Sequence, residues 1–495
     1  MINTMADEYP SDHTKQNLLV IITYSCISLF FILVFFVGYI SVGSYFSNPF
    51  PDIRGAMVLL FLAGGALLIT FAINPPFPSR YLVPLYLIAI IVGYFYQLAL
   101  MWDAPLGAGL IRSLFYVLLL VGLVIIVLRG STNLRYLLLF AGWLLCNIFS
   151  IMGDSAPDEV AMLYVLGVIL PGFFALALYS YFKTANSLQR LASAITVGVV
   201  GLSVGLIMVM FLSIIVKYGD ITLTRKASDL GYASILIFLA WPFIFWRFNS
   251  RLISWKIVVF TVITLAFVFS FSRAVFLLGI LLAIITFLRP SMLLRKQVIL
   301  VLLVGLVIVF TLFVTDEVSG FWLGRLNISS WANVLSFDPE KVKGLLSNEP
   351  RLAIWNFAIT SFFESPLIGH GLGSFPTLIS NETGGVWAFT GAHSLLLTVM
   401  VERGIISAIF VAGMLIYIWI KLIWLWRTEV GRTREFFLLA IAGFSCFLIE
   451  AHSSGCELMD SGTMIVDSTV SIFIMVYLCM ILSWKTIREE LTDFI

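Results

Sequence analysis

Three residues of this chain have the type and setting for chemistry: His393, Arg351 and Arg273. His393 stands at the start of an apolar run. At the beginning of a membrane helix the dipole favours neutral imidazole, and a neutral imidazole at an aqueous rim can serve as general base toward a hydroxyl; a lone structural histidine with its hydrogen bonds satisfied is the alternative. Arg351 falls in the first turn of a helix opened by Asn348-Glu349-Pro350, where the positive end of the dipole mildly opposes a cation. Unpaired helix N–H groups beside a guanidinium suit a phosphate or pyrophosphate. An interfacial arginine touching lipid headgroups or Glu349 fits the same residues. Arg273 lies between Phe271 and Val275-Phe276. A charge there is costly unless paired or facing a water-filled cavity, and a snorkelling rim arginine is the alternative. His370, flanked by glycines, reads as turn geometry. His452, near Glu450, Glu457 and Asp460, is expected in an outside loop that could line the same cavity. A metal site from His370, His393 and His452 has no recognisable ligand spacing, so none is expected.

The elements that must position these residues surround the long polar interruption Thr315 to Gly404. Asn348 is suited to capping a helix whose Leu352, Trp355, Ile359 and Phe362 recur at helical spacing until Ser365-Pro366 stops it. That helix is expected to lie along the membrane surface, apolar face down. A glycine-rich turn, Pro366 to Gly373, follows, and a new helix begins near His393.

The rest of the chain is apolar. With 61% hydrophobic and 11% charged residues, it cannot clothe a soluble domain, whose composition is about 25% charged. Apolar runs at 18–43, 56–73, 81–101, 113–128, 136–152, 161–182, 191–216, 230–246, 257–271, 274–288, 298–314, 395–426, 436–450 and 468–484 predict an all-α polytopic membrane protein of about 14 transmembrane helices. The spans read as almost free of ionisable residues and show no internal repeat, which argues against a transporter. Lys+Arg at 29 against Asp+Glu at 27 gives a net charge of +2, and no nucleic-acid partner is expected. The five cysteines form neither a disulfide framework nor a metal pattern. The polar, acidic start, Met1 to Asn17, is unlike a signal peptide, so the first run is expected to remain as a helix.

Basic residues set the orientation. With the N-terminus inside, the inner loops carry Arg129 and Arg135, Lys183 and Arg190, Arg247 and Arg251, Arg289 and Arg295, and Arg427, Arg432 and Arg434. One outer loop breaks the pattern with Lys217, Arg225 and Lys226, either an anion site or a tolerated exposed cluster. Ile257 to Leu288, read as one helix, would measure about 48 Å against a hydrocarbon core of about 30 Å. Two short helices meeting at Ser272-Arg273 keep the flanking basic clusters inside and put Arg273 at the outer rim. The expected divisions are a tail at 1–17, a scaffold at 18–256, a hairpin and following span at 257–314, an outer loop at 315–394 and terminal helices at 395–495.

At these residues the sequence resembles the O-antigen ligase and polymerase superfamily. His393-Ser394, nine residues, then Gly404 follows the ligase pattern, with Ser407 in its last position where Gly, Thr or Tyr is usual. Ser272-Arg273 resembles the family's Ser-Arg pair at a helix break. Arg351 to Trp355 and Pro366 to Gly371 resemble its Arg-x-x-x-Trp helix and Pro-Leu-Ile-Gly-x-Gly turn. The resemblance implies a C-type glycosyltransferase fold with a large periplasmic loop containing amphipathic helices, in the bacterial inner membrane. It implies metal-independent, inverting transfer of an undecaprenyl-pyrophosphate-linked glycan, with no cofactor. His393 would act on the acceptor hydroxyl, while Arg273 and Arg351 would hold the leaving pyrophosphate. Ser394, Lys217, Arg225, Lys226 and His452 are candidate substrate contacts. The implied partners are the lipid-linked glycan, a glycan or lipid A–core acceptor, the bilayer and a chain-length regulator. Chain size leans toward a polymerase of O-antigen or exopolysaccharide, which is the preferred reading; the His-x9-Gly pattern leans toward a ligase, the alternative, and a lipid-linked sugar flippase is the reading from another class.

Overall fold

In lipid the backbone has no water to bond, so an apolar run must satisfy its own N–H and C=O groups, and a helix does so within one segment. The computed structural model describes residues 81–100, 107–130, 133–151, 158–184, 186–215, 235–247, 259, 261–267, 273–287, 350–383, 392–453 and 468–492; among these every regular element is helical. In chain order they are α1 (Leu82–Leu100), α2 (Gly107–Arg129), α3 (Leu134–Ile151), α4 (Asp158–Phe182), α5 (Ser187–Ile215), α6 (Ile235–Arg247), α7 (Arg273–Phe287), α8 (Pro350–Glu364), α9 (Phe375–Glu382), α10 (Leu395–Thr428), α11 (Gly431–Ser453), α12 (Ser468–Leu482) and α13 (Trp484–Thr492). Each predicted span that falls on described residues, 257–271 apart, meets one of these helices. The spans expected at 18–43, 56–73 and 298–314 lie outside the described residues, and 257–271 is described in part.

Three helical segments, Ser187–Val204 within α5, Leu395–Thr428 and Gly431–His452, are long and apolar enough to cross a membrane, and shorter apolar helices pack beside them. Their outward faces carry large apolar side chains such as Leu128, Leu138, Ile409 and Ile420, at 55–79% exposure. Outward side chains of that kind suit hydrocarbon and not water. The chain is therefore a multi-pass helical membrane protein. The centre of the bundle is α12, buried from Val470 to Ile481. Aromatic polar tips tie the helices inside it: Tyr477 Oη donates to the Leu239 carbonyl at 2.7 Å, and Trp143 Nε1 to the Val168 carbonyl at 2.6 Å.

Hydrogen bonds gather one set of helix ends together. The start of α3 reaches the ends of α4 and α12, through Asn133 to Tyr179 at 3.2 Å and Tyr136 to the Cys479 carbonyl at 3.0 Å. Trp484 Nε1 donates to Glu429 Oε1 at 2.9 Å, tying α13 to the turn between α10 and α11. This end is rich in cation–aromatic contacts, among them Lys183 over Tyr179 at 4.2 Å, Arg190 over Tyr81 at 5.5 Å and Arg432 over Trp246 at 4.6 Å. Basic residues interleaved with Trp and Tyr are the pairing found at a membrane interface.

The opposite end holds the starts of α7 and α10 and the finish of α11. Helices α10 and α11 follow one another through a tight turn and lie side by side, Trp419 Nε1 donating to Ser445 Oγ at 3.1 Å, so they run antiparallel. Helix α7 also runs antiparallel to α11. Cys446 Sγ points at the Leu278 carbonyl, 3.8 Å away, while Thr286 lies beside Trp241, further toward the basic end. Residues 261–267 lie back against α7. The Phe267 ring lies 3.0 Å from where a Cβ on Gly279 would stand and stacks on Phe238 at 5.3 Å between centroids. In one straight helix residues 267 and 279 would be about 18 Å apart.

Candidate active site

Helix α8 runs from Pro350 to Glu364, the bounds set by a proline at its start and Ser365-Pro366 at its finish. Ile354, Ala358 and Phe362 pack with Phe375, Ile379, Ala392 and Val401, while Ile359, on the stripe expected to face the membrane, is exposed. Two apolar stripes run along this helix, and the protein covers one of them. Arg351 occupies the second position of α8, and Arg273 opens α7. Both are placed by their backbone alone, and their side chains lie outside the described residues.

His393 adopts φ +50°, in the left-handed region that a non-glycine residue seldom occupies. Such a conformation costs on the order of 1–3 kcal/mol and persists where surrounding structure enforces it. Ser394 then turns extended at φ −156°, and its carbonyl accepts the first bond of α10, from the Thr398 N–H at 3.0 Å. Ser394 is buried and its hydroxyl does not cap the helix. His452 is part of α11 rather than of a loop, and its Nδ1–H donates to the Leu448 carbonyl one turn back at 2.8 Å. Lys217, Arg225 and Lys226 lie outside the described residues. His370 has a structural setting: its Nε2–H donates to the Ser361 carbonyl at 2.7 Å, and its backbone N–H to the Val401 carbonyl at 2.8 Å.

The second of those bonds is part of a crossing between two segments that the sequence had as separate motifs. Helix α10 is interrupted at Gly404, φ +74° and ψ −179°. In an unbroken helix Ile405 N–H would bond the Val401 carbonyl. Here it donates instead to the Pro366 carbonyl at 2.8 Å, while the N–H groups of His370 and Gly371 supply the carbonyls of Val401 and Glu402 at 2.8 and 3.0 Å. The Pro366–Gly371 turn has inserted itself into the ladder of α10. Both glycines are obligatory there. A Cβ on Gly404 would stand 2.2 Å from the Leu367 carbonyl oxygen, and one on Gly369 2.4 Å from the Arg403 nitrogen.

At the crossing α10 carries charge. Glu402 and Arg403 are almost fully buried, at 0% and 3% exposure, so the spans are less free of ionisable groups than their composition suggests. Glu402 Oε1 accepts the Phe375 N–H at the start of α9, at 3.4 Å, and the Arg403 guanidinium donates to Asn147 Oδ1 of α3 at 2.5 Å. Ser407, the residue that departs from the ligase pattern, donates to the Cys146 carbonyl. A Glu-Arg pair inside an apolar run was the available signal for this cluster. Among the described residues no group of three or more His, Cys, Asp and Glu side chains is placed to hold a metal ion.

The fold is that of a helical membrane protein in which a histidine in the left-handed conformation leads into α10 and the Pro366–Gly371 turn crosses the break in that helix. Residues 257–412 match the family model described as O-antigen ligase. That stretch contains Arg273, Arg351, the Pro366–Gly371 turn, His393 and Gly404, and it supports assignment to the O-antigen ligase and polymerase superfamily, whose members are glycosyltransferase-like enzymes working in the membrane on lipid-linked glycans. A comparison with curated proteins gives no match.

Proposed function

We propose that this chain transfers an undecaprenyl-pyrophosphate-linked glycan to an acceptor hydroxyl at the periplasmic face of a bacterial inner membrane. The observation that carries the reading is the setting of His393. It stands two residues before α10 in a left-handed conformation, at the end of the bundle opposite the basic rim. The positive-inside rule puts that basic rim in the cytoplasm, which supports an outward-facing site where nucleotide sugars are absent and a lipid-borne donor fits.

In this mechanism His393 takes the proton of the acceptor hydroxyl as its oxygen attacks the anomeric carbon. The bond from that carbon to the pyrophosphate oxygen breaks on the opposite face, so the configuration inverts. Arg273 and Arg351 offset the charge that develops on the departing lipid pyrophosphate, without a divalent cation. Ser394 and His452 are assigned to the surrounding substrate contacts, with Lys217, Arg225 and Lys226 as a further anion-binding group. The acceptor is the next repeat unit if the chain is a polymerase, the reading its size favours. The spacing from His393 to Gly404 favours the ligase reading, with lipid A–core as acceptor.

The test is His393→Asn in a deletion strain complemented with the full chain. Asparagine tolerates positive φ but supplies no base. Transfer should fall by about 10²- to 10⁴-fold with membrane insertion unchanged; full activity would end the assignment. The unmodified deletion strain separates the two acceptors. Single-repeat lipopolysaccharide marks a polymerase, and long glycan retained on the lipid carrier marks a ligase.

A further inference from the structure

The part of α10 before its break, Leu395 to Arg403, is a short helix of its own, and His393 leads directly into it. Its last turn is held by three different elements. The Pro366–Gly371 turn bonds the carbonyls of Val401 and Glu402, the start of α9 bonds the Glu402 carboxylate, and α3 bonds the Arg403 guanidinium through Asn147. The third is of another kind, because α3 lies far upstream of the matched residues 257–412.

Asn147 is itself fixed. It is 1% exposed, and its amide nitrogen donates to the Trp143 carbonyl at 2.6 Å. The Trp143 indole N–H in turn donates to the Val168 carbonyl of α4 at 2.6 Å. With the NH2 committed to a carbonyl, the amide oxygen has to face Arg403, and Arg403 has only donors to offer it. The line Val168, Trp143, Asn147, Arg403 thus runs from α4 through α3 to the foot of the helix that carries His393. Burying a guanidinium is costly unless acceptors lie within its reach, so this oxygen, together with the Ser407 bond to the Cys146 carbonyl, fixes how α10 stands against α3.

We propose that Asn147 is a positioning residue for His393, acting through Arg403, so that the upstream helices fix the geometry of transfer. The inference rests on the role given to His393 above. Its test uses membranes containing the full chain and lipid-linked glycan extracted from the deletion strain. The rate per folded molecule is measured across a pH series for Asn147→Leu, Asn147→Ser and Asn147→Asp. Leucine removes the acceptor at similar volume, and serine is too short to reach the guanidinium. Either should lower the rate by roughly 10- to 100-fold, the scale of a small misplacement at a reacting centre, and move the acid limb of the pH–rate profile. Aspartate, which keeps the acceptor, should return the rate to within about threefold of the original. A residue that only stabilised the fold would lower the amount of folded chain and leave both rate per molecule and pH profile in place. That result, in whichever of the leucine and serine variants accumulates, overturns the proposal. His393→Asn is run alongside: if it stays active, the mechanism fails, and if it is dead while Asn147→Ser behaves as the original, only this inference fails.

Discussion

Helix α10 is built in two ways along its length, and the two halves teach different lessons. Before and around Gly404 the helix is held by named polar atoms: the turn Pro366–Gly371, the start of α9, Asn147, and Ser407 against Cys146. Beyond it, toward the basic end, Met414, Leu415, Ile418, Leu422 and Leu425 are buried by ordinary apolar packing, while Ile416, Ile420 and Trp424 face outward. The first half depends on atoms standing at fixed positions. The second depends on area and volume, which many residues supply.

The contrast is sharpest at two glycines of this one helix. Gly404→Ala puts a Cβ against the Leu367 carbonyl at φ +74°. It is expected to cost on the order of 3 kcal/mol or more and to abolish transfer, read as a fall in thermal stability of the purified chain together with loss of glycan product. The largest test at the other end removes Glu429, the residue that holds α13 through Trp484 and, at 3.5 Å, Arg488. Glu429→Ala should cost about 1–3 kcal/mol and release Trp484–Thr492 to protease, with transfer kept within about threefold because the site is far away. Transfer lost along with α13 would break the division between the halves. The smallest effect belongs to Gly413→Ala, where nothing stands within 4 Å of the added methyl. It should raise stability by up to about 1 kcal/mol through helix propensity alone, and a loss there would show that the second half is more demanding than its packing indicates.

The helices were legible in the sequence because length and hydrophobicity decide them locally, and the bounds of α8 were legible because prolines mark both. The face by which α8 meets the protein was not. Ile354, Ala358 and Phe362 recur at helical spacing, but so do Leu352, Trp355, Ile359 and Phe362, the stripe expected to face the membrane, and residue type does not say which of the two a neighbouring helix covers. The short α9 was missed, being eight residues with a proline in its first turn. At the site, the two glycine motifs were visible, but not that they cross. Gly369 and Gly404 are 35 positions apart, and the hydrogen bonds between their segments belong to the backbone, which leaves no mark in residue type. Asn147 gave no signal at all, since one asparagine in an apolar run is as readily explained by a bond to its own helix, which it also makes.

The crossing of Pro366–Gly371 with Val401–Ile405 bears on how the protein can be recombined. A chimera that imports either segment from a relative without the other would juxtapose backbones shaped by different sequences, at a contact with space for a hydrogen and no more. Exchange of acceptor or donor preference between relatives therefore has to move 366 through 405 as one cassette, or leave both segments where they are and work from the surrounding loops.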